Sequence, residues 1–566
     1  SSVSLSKMQS SRCNVSVKPH TNETCPNWFS PETGIYTSKH KPLHLPQTPF
    51  LDVVSFIFSH EHNGVSALID SPTGVSFSYL ELQRMVKSMA SGLNQIGISQ
   101  GEVVLIVLPN TIFFPVMFLS VLGIGAIATT MSPLSTLMEI KKQMKDCRAT
   151  LVLTVFNKVN EIERTGVRVI GVPETPDYDS SAVEFSQFDE IFRKGDLHLA
   201  PRVVINQDDT AAILYSSGTS GASKGVVLSH RNLIAGIMLF VRFEAMPYES
   251  PPDSNVYLAA IPMFHVYGLT LLVLGLLSLG TAIVVMKKFD MNEMVRAIDK
   301  YGVTHFPVVP PILSALTRVK ASNGGSDLRS LKQVSSGAAP LSEKIIQDFL
   351  QSFPHVDFIQ GYGMTETTAV GSRGFNTKMF KKYTSVGLLA PNMEAKVCCW
   401  DTGACLPPST SGELLLRGPG IMKGYLNGVD ETRCMVDNNS WLRTGDIAHF
   451  DLDGYIYILD RLKDTIKYKG FQIAPADLES ILISHPDVLD VAVTASRDDE
   501  AGEVPVAFVV KRSGSSLSQV DVINFVASQV APYKKVRQVV FTHLIPKSAA
   551  GKILRRHLRN SLASRM

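Results

Sequence analysis

Tyr215-Ser-Ser-Gly-Thr-Ser-Gly-Ala-Ser-Lys-Gly-Val226 follows directly on Ala211-Ala-Ile-Leu214, an apolar run that reads as a buried strand. Glycines at 218, 221 and 225 let backbone N–H groups close on an anion without a Cβ in the way. Ser216, Ser217, Thr219, Ser220 and Ser223 add hydroxyl donors, and Lys224 adds a point charge for phosphate oxygens. That set suits nucleotide phosphate. A Walker-type loop carries Gly just before its lysine and Ser or Thr just after it. Here Ser223 precedes Lys224 and Gly225 follows, which argues against a P-loop kinase or ATPase. A Gly- and Ser-rich surface loop shares the composition, so the rest of the chain has to arbitrate.

With 566 residues, 45% hydrophobic and 19% charged, the chain is globular and long enough for at least two domains. A net charge of +3 gives no case for nucleic acid, although Val522–Met566 carries nine Lys or Arg and no acid. Seven cysteines without a Cys-x-x-Cys pair read as reduced thiols and no zinc site. The N-terminus shows no apolar signal core. Two long uncharged stretches, 103–138 and 266–286, raise the question of a membrane; Pro109, Pro115, Gly268, Gly275 and Gly280 interrupt them, and buried strands followed by packed helices give the same signal.

Along the chain, residues 1–40 are polar and aperiodic and are expected to form a loosely ordered arm. The spacing predicts an amphipathic helix over 77–93, strands at 103–109 and 150–155, and a helix at 113–123. After the glycine-rich loop come strands at 257–263, 282–286 and 304–309, with a helix at 269–279. This alternation implies a mainly parallel sheet with helices on both faces. Segments 412–418 and 454–460 read as strands of a smaller β-rich region, and beyond Asp460 short strands and helices at 475–484 and 519–530 suggest a separate α+β domain.

Four further stretches carry chemistry. Gln360-Gly-Tyr-Gly-Met-Thr-Glu366 offers glycines and an aromatic ring for a base or acyl group, and a carboxylate for Mg²⁺. Trp441-Leu-Arg-Thr-Gly-Asp446 presents an acid after a glycine, as an acceptor for ribose hydroxyls would be. Arg461–Gln472 packs Arg461, Lys463, Lys467 and Lys469 into nine residues, and Gly551-Lys552 sets a lysine after a turn. Singly, each has a plain alternative: Asp446 as a cap, His265 as a core histidine, the lysines as a solvated face.

Taken together and in this order, these stretches resemble the adenylate-forming superfamily of acyl-CoA synthetases, adenylation domains and firefly luciferase, and in particular plant 4-coumarate:CoA ligases and their ligase-like relatives. The resemblance runs from Pro46 to Arg556 and includes Pro262-Met-Phe-His265. It implies an α/β fold: a large N-terminal domain over 41–460, built of layered α/β subdomains plus a small β-barrel, a hinge at 461–463, and a small mobile α+β domain over 464–566. It implies a carboxylate attacking the α-phosphate of MgATP, an acyl-adenylate, and transfer of the acyl group to the CoA thiol. ATP, Mg²⁺ and CoA are expected, with no tightly bound prosthetic group.

By the same resemblance Ser216, Ser217, Gly218, Thr219, Ser220 and Lys224 would hold the β- and γ-phosphates. Gln360, Gly361, Tyr362 and Thr365 would hold adenosine and the α-phosphate, Asp446 and Arg461 the ribose, and Glu366 the Mg²⁺. Lys552 would bridge carboxylate and α-phosphate, His265 would flank the acyl carboxylate, and Lys467 and Gln472 would enter the site for chemistry. Lys463 would be the hinge, and Lys469 and Gly470 would meet CoA. The acyl pocket would be formed by Tyr267, Leu271, Ser335, Ala338, Gly361, Gly363, Ala369 and Val370.

Departures from the coumarate ligases concentrate in that pocket: Ser335 stands in place of Met, Leu271 in place of a small residue and Ala369 in place of Pro. Hydroxycinnamates, other aromatic acids, fatty acids and oxylipins all compete as substrates. Ser564-Arg-Met566 is similar to a peroxisomal address, which implies an import receptor as partner and a peroxisomal location, or a cytoplasmic one if the signal is unused. A monomer without a transmembrane span is expected. Transfer to a carrier protein or to oxidation instead of CoA is the first alternative, and an idle ATP-binding or transport protein of the same fold the second.

Overall fold

The computed structural model describes residues 26–194, 202–216, 223–243, 251–321, 326–338, 341, 343–377, 379–399, 402–461, 466–473, 475–546, 553 and 555–563. Four sheets organise them. A seven-stranded sheet contains Val103–Val107, Ile127–Thr130, Ala149–Val155 and Arg168–Val172, which run parallel to one another and to Thr210–Ser216. A nine-stranded sheet is parallel from Ser66–Asp70 through Ala282–Val285, Val256–Ala259, His305–Val308 and Gln333–Ser336 to Asp357–Tyr362. In the seven-stranded sheet the interior strand Val103–Val107 is apolar on both faces, as a sheet covered by helices on each side requires; every one of its residues is buried.

The two uncharged stretches are accounted for by this burial. Helix Phe113–Gly123 buries ten of its residues, from Phe113 to Leu122. Among the described residues no helix is long and apolar enough to cross a membrane. The helix expected at 269–279 is different in kind: Leu269–Gly275 winds as a π-helix and packs on a second π-helix, Ile237–Arg242. A π-turn keeps nearly the same apolar sequence as an α-turn, so the pattern does not distinguish them.

The smaller β-rich region is a six-stranded antiparallel sheet, and among the described residues no pairing closes its ends into a barrel. Its first two strands correct the loosely ordered arm, expected over 1–40, for residues 26–40; residues 1–25 lie outside the described residues. Phe29–Ser30 and Ile35–Thr37 form a hairpin that pairs through Tyr36 with Ala395. Tyr36 is fully buried, stacks on Phe450 at 4.1 Å between ring centroids and donates its hydroxyl to the Leu406 carbonyl at 2.8 Å. Tyr36→Ala is expected to remove about 3–5 kcal/mol of stability, read as a lowered urea midpoint. An unchanged midpoint would mean the hairpin adds nothing to the core.

From Ile466 onward a separate sheet forms from Phe471–Ile473, Ile466–Tyr468, Gly502–Lys511, Val488–Asp498 and Gln538–Phe541. Its two faces carry their own apolar clusters, one with Ile466, Leu478, Val493 and Val509, the other with Val506, Phe508, Val540 and Leu558.

Candidate active site

The glycine-rich stretch is a hairpin rather than a strand-to-helix loop: Lys224–Ser229 runs antiparallel to Thr210–Ser216, with Lys224 opposite Ser216. Ser217, Gly218, Thr219 and Ser220 lie outside the described residues. At its base Ser216 donates its hydroxyl to Glu366 Oε1 at 2.7 Å. Tyr425, on a strand paired with Val226–Val227, donates to the same oxygen at 2.9 Å. Burial first, and the Glu366 charge second, push the Tyr425 phenol far above its ordinary range, so it remains a donor. Lys224 Nζ sits 5.0 Å from the centre of the Tyr425 ring. A cation, two hydroxyl donors and one buried carboxylate therefore meet at the mouth of the hairpin. Tyr425 was not singled out from sequence, where Lys423-Gly-Tyr425 shows only an aromatic after a glycine.

The second group is Tyr362, Asp446 and Gln360. Tyr362 donates its hydroxyl to Asp446 Oδ2 at 2.6 Å, and Gln360 donates to the Tyr383 carbonyl at 2.8 Å. Asp446 lies in strand Leu442–Phe450 and is not a helix cap; it pairs with Arg461, whose side chain lies outside the described residues. Thr365 and Glu366 occupy a short 3₁₀ turn after the strand ending at Tyr362. A Cβ on Gly363 would come 2.3 Å from the Ala369 carbonyl, so only glycine allows this chain reversal.

His265 is held by its neighbours' backbone. Asn110 accepts from the Met263 N–H at 2.9 Å and donates to the Ile261 carbonyl at 2.9 Å, while Thr130 donates to the Phe264 carbonyl at 2.7 Å. Burial, and then the Lys467 cation, push the imidazole down to about 4. Near neutral pH the ring is therefore neutral and keeps an acceptor nitrogen.

Tyr267 and Leu271 follow on the next turns, with the Tyr267 ring 6.2 Å from Phe240 and Leu271 buried. Strand register brings further residues to this wall. Ser335 pairs with Ile359, and Gly361, two residues along, pairs with Arg373, so Ser335, Gly361 and Arg373 share one face of the sheet. Pro307 pairs with Ser335, which adds His305 to that face. Arg373 is buried, its guanidinium 4.9 Å from the Phe240 ring centre. Burial first and the Arg373 charge second push His305 down to about 3. Ala338 and Ala369 both adopt left-handed backbone, at φ 69° and 64°, and Val370 is fully buried. Arg373 and His305 were not anticipated, because only strand register shows that they share a face with Ser335.

The last group comes from beyond residue 466. Lys467 lies opposite Gln472 in a short hairpin, is buried, and its N–H donates to Glu503 at 2.7 Å. Its charge is the second cause, after burial, of the lowered His265 imidazole. The turn of that hairpin, Lys469 at φ 46° and Gly470 at φ 83°, lies against Val309, which a Cβ on Gly470 would approach to 3.1 Å. The Gln472 side chain, Lys463 and Lys552 fall outside the described residues, as does Ser564–Met566.

The AMP-binding enzyme family matches residues 58–426, and the AMP-binding enzyme C-terminal domain matches residues 477–552. The chain belongs to this family and is an adenylate-forming enzyme of the acyl-CoA ligase-like kind. Within it, 4-coumarate–CoA ligase-like 6 of Arabidopsis thaliana is 58% identical over 96% of this chain and 97% of that protein. Peroxisomal OPC-8:0-CoA ligase 1 of the same plant is 42% identical over 94% of this chain and 96% of its own. Among solved structures, a long-chain-fatty-acid-CoA ligase from Archaeoglobus fulgidus superposes with a TM-score of 0.72 at 25% identity, covering 89% of this chain and all (100%) of that one. An o-succinylbenzoate CoA synthetase from Bacillus subtilis gives a TM-score of 0.76 at 24% identity, covering 89% and 98%. The last of these supports the fold alone.

Proposed function

We propose that this chain joins a carboxylic acid to CoA through an acyl-adenylate, at the expense of ATP. The observation that carries this reading is the convergence of Ser216, Lys224, Glu366 and Tyr425 at the mouth of the glycine-rich hairpin. Hydroxyls and a lysine there neutralise phosphate charge, and Asp446 beside Tyr362 accepts from ribose. Among the described residues no three His, Cys, Asp or Glu cluster, and a single buried carboxylate suits Mg²⁺, which is held largely by phosphate oxygens. Glu366 would hold that ion, which supplies charge neutralisation during phosphoryl transfer.

In the first step Lys552 stabilises the charge shared between the acyl carboxylate and the α-phosphate. In the second, Lys467 and neutral His265 face the thiol as it attacks the mixed anhydride, and AMP leaves. The segment 461–463 is the hinge on which the C-terminal unit turns between the two steps. Arg373 and His305, on the face shared with Ser335, favour an acid that carries oxygen remote from its reacting carboxylate over a plain alkanoate. Ser564-Arg-Met566, together with a relative named as peroxisomal, supports a peroxisomal location and an import receptor as partner.

The test is a competition assay: MgATP, CoA and a mixed panel of cinnamic, benzoic, fatty and oxygenated fatty acids, with thioesters identified by mass. Thioesters enriched in oxygenated acids are expected. Adenylates without thioesters would replace CoA with a carrier or oxidative route, and neither product would leave an idle nucleotide-binding protein.

A further inference from the structure

Helix Leu137–Cys147 opens with a capping box in which Glu139 Oε2 accepts from the Thr136 N–H at 2.9 Å. Its other oxygen, Oε1, takes an ion pair at 2.8 Å from Lys534, across some 400 residues of chain; the two side chains are only 15% and 18% exposed. Thr136 donates its hydroxyl to the Gln529 carbonyl at 3.4 Å. Burial opposes the Lys534 charge, but Tyr533, Glu139 and Asp477 outweigh it and hold the ammonium above its ordinary range.

The contact leads directly to the site. Tyr533 stacks on Phe471, ring centres 4.2 Å apart and planes 20° from parallel. Phe471 pairs with Tyr468, and the next rung of the same hairpin is Gln472 opposite Lys467, the residue that acts on His265. We propose that Glu139 and Lys534 are positioning residues for the thioester-forming step: their ion pair, passed on through the Tyr533–Phe471 stack, sets Lys467 against His265. This rests on the CoA ligase reading above. A capped helix fixes one partner and a stacked hairpin the other, so loss of the pair frees the hairpin without touching the phosphate site. A displacement of about 1 Å at reacting groups costs up to 100-fold.

The experiment separates the two steps in the full chain. Pyrophosphate release without CoA reads adenylation, and consumption of preformed acyl-adenylate by CoA reads thioester formation, for wild type, Glu139→Gln, Lys534→Met and the charge-conserving Lys534→Arg. Glu139→Gln, which keeps the cap acceptor, and Lys534→Met are each expected to lose about tenfold or more in the kcat of the second step while the first stays within about twofold. Lys534→Arg keeps most of the second-step rate. Equal losses in both steps, no loss in either, or Lys534→Arg no better than Lys534→Met would overturn the proposal. Wild type is read first: wild-type adenylation without a thioester would sink the CoA ligase reading itself, an outcome distinct from any result with the variants.

Discussion

Lys552→Ala is expected to remove acyl-adenylate formation, by about 100- to 1,000-fold in kcat, while CoA still consumes supplied acyl-adenylate at nearly the wild-type rate. The asymmetry follows from the charge each step develops. In-line displacement at the α-phosphate brings a carboxylate against a phosphate, and a lysine bridging them lowers that barrier selectively. Thioester formation begins with that bond already made. The reverse asymmetry is expected of Lys467→Ala, because its charge acts on His265, the residue proposed to meet the thiol. Single-turnover measurement of each half-reaction decides the matter: parallel losses in both steps would remove Lys552 from its assigned role.

Glu366→Gln should lower kcat/KM for MgATP by about 100-fold and raise the Mg²⁺ concentration needed for half-maximal rate. The amide oxygen can still accept from Ser216 and Tyr425, so the local hydrogen bonds, at 2.7 and 2.9 Å, survive the substitution. What disappears is the charge. A Mg²⁺ dependence identical to wild type would show that Glu366 is a structural acceptor for the hairpin mouth and nothing more.

Residues legible in the sequence were those whose chemistry is carried by a short contiguous stretch. Ser216 and Lys224 came from one loop, Tyr362 and Glu366 from another, and the structure joins them through contacts consistent with those motifs. Helix Phe113–Gly123 and strand Ala149–Val155 were readable because apolar runs between turn residues fix local structure. Tyr425, Arg373 and the Glu139–Lys534 pair were not, since each acquires its meaning from a partner far away in the chain. The N-terminal hairpin failed for the same reason: the Trp28-Phe29 pair and Tyr36 stand in polar sequence without periodicity, and the surface that buries them includes Phe450. The π-helices are a separate case, because i→i+5 bonding leaves no mark in hydrophobic spacing.

The hairpin also imposes an order of events during synthesis. Tyr36 leaves the ribosome 370 residues before Leu406, whose carbonyl receives its hydroxyl. At roughly 5–20 residues per second that interval is about 20–75 s. Throughout it, three large aromatic side chains and an unpaired strand edge wait in water, while the parallel sheets that follow assemble from partners nearer in sequence. Residues 28–37 are thus buried only once partners some 370 or more residues further along the chain have been made.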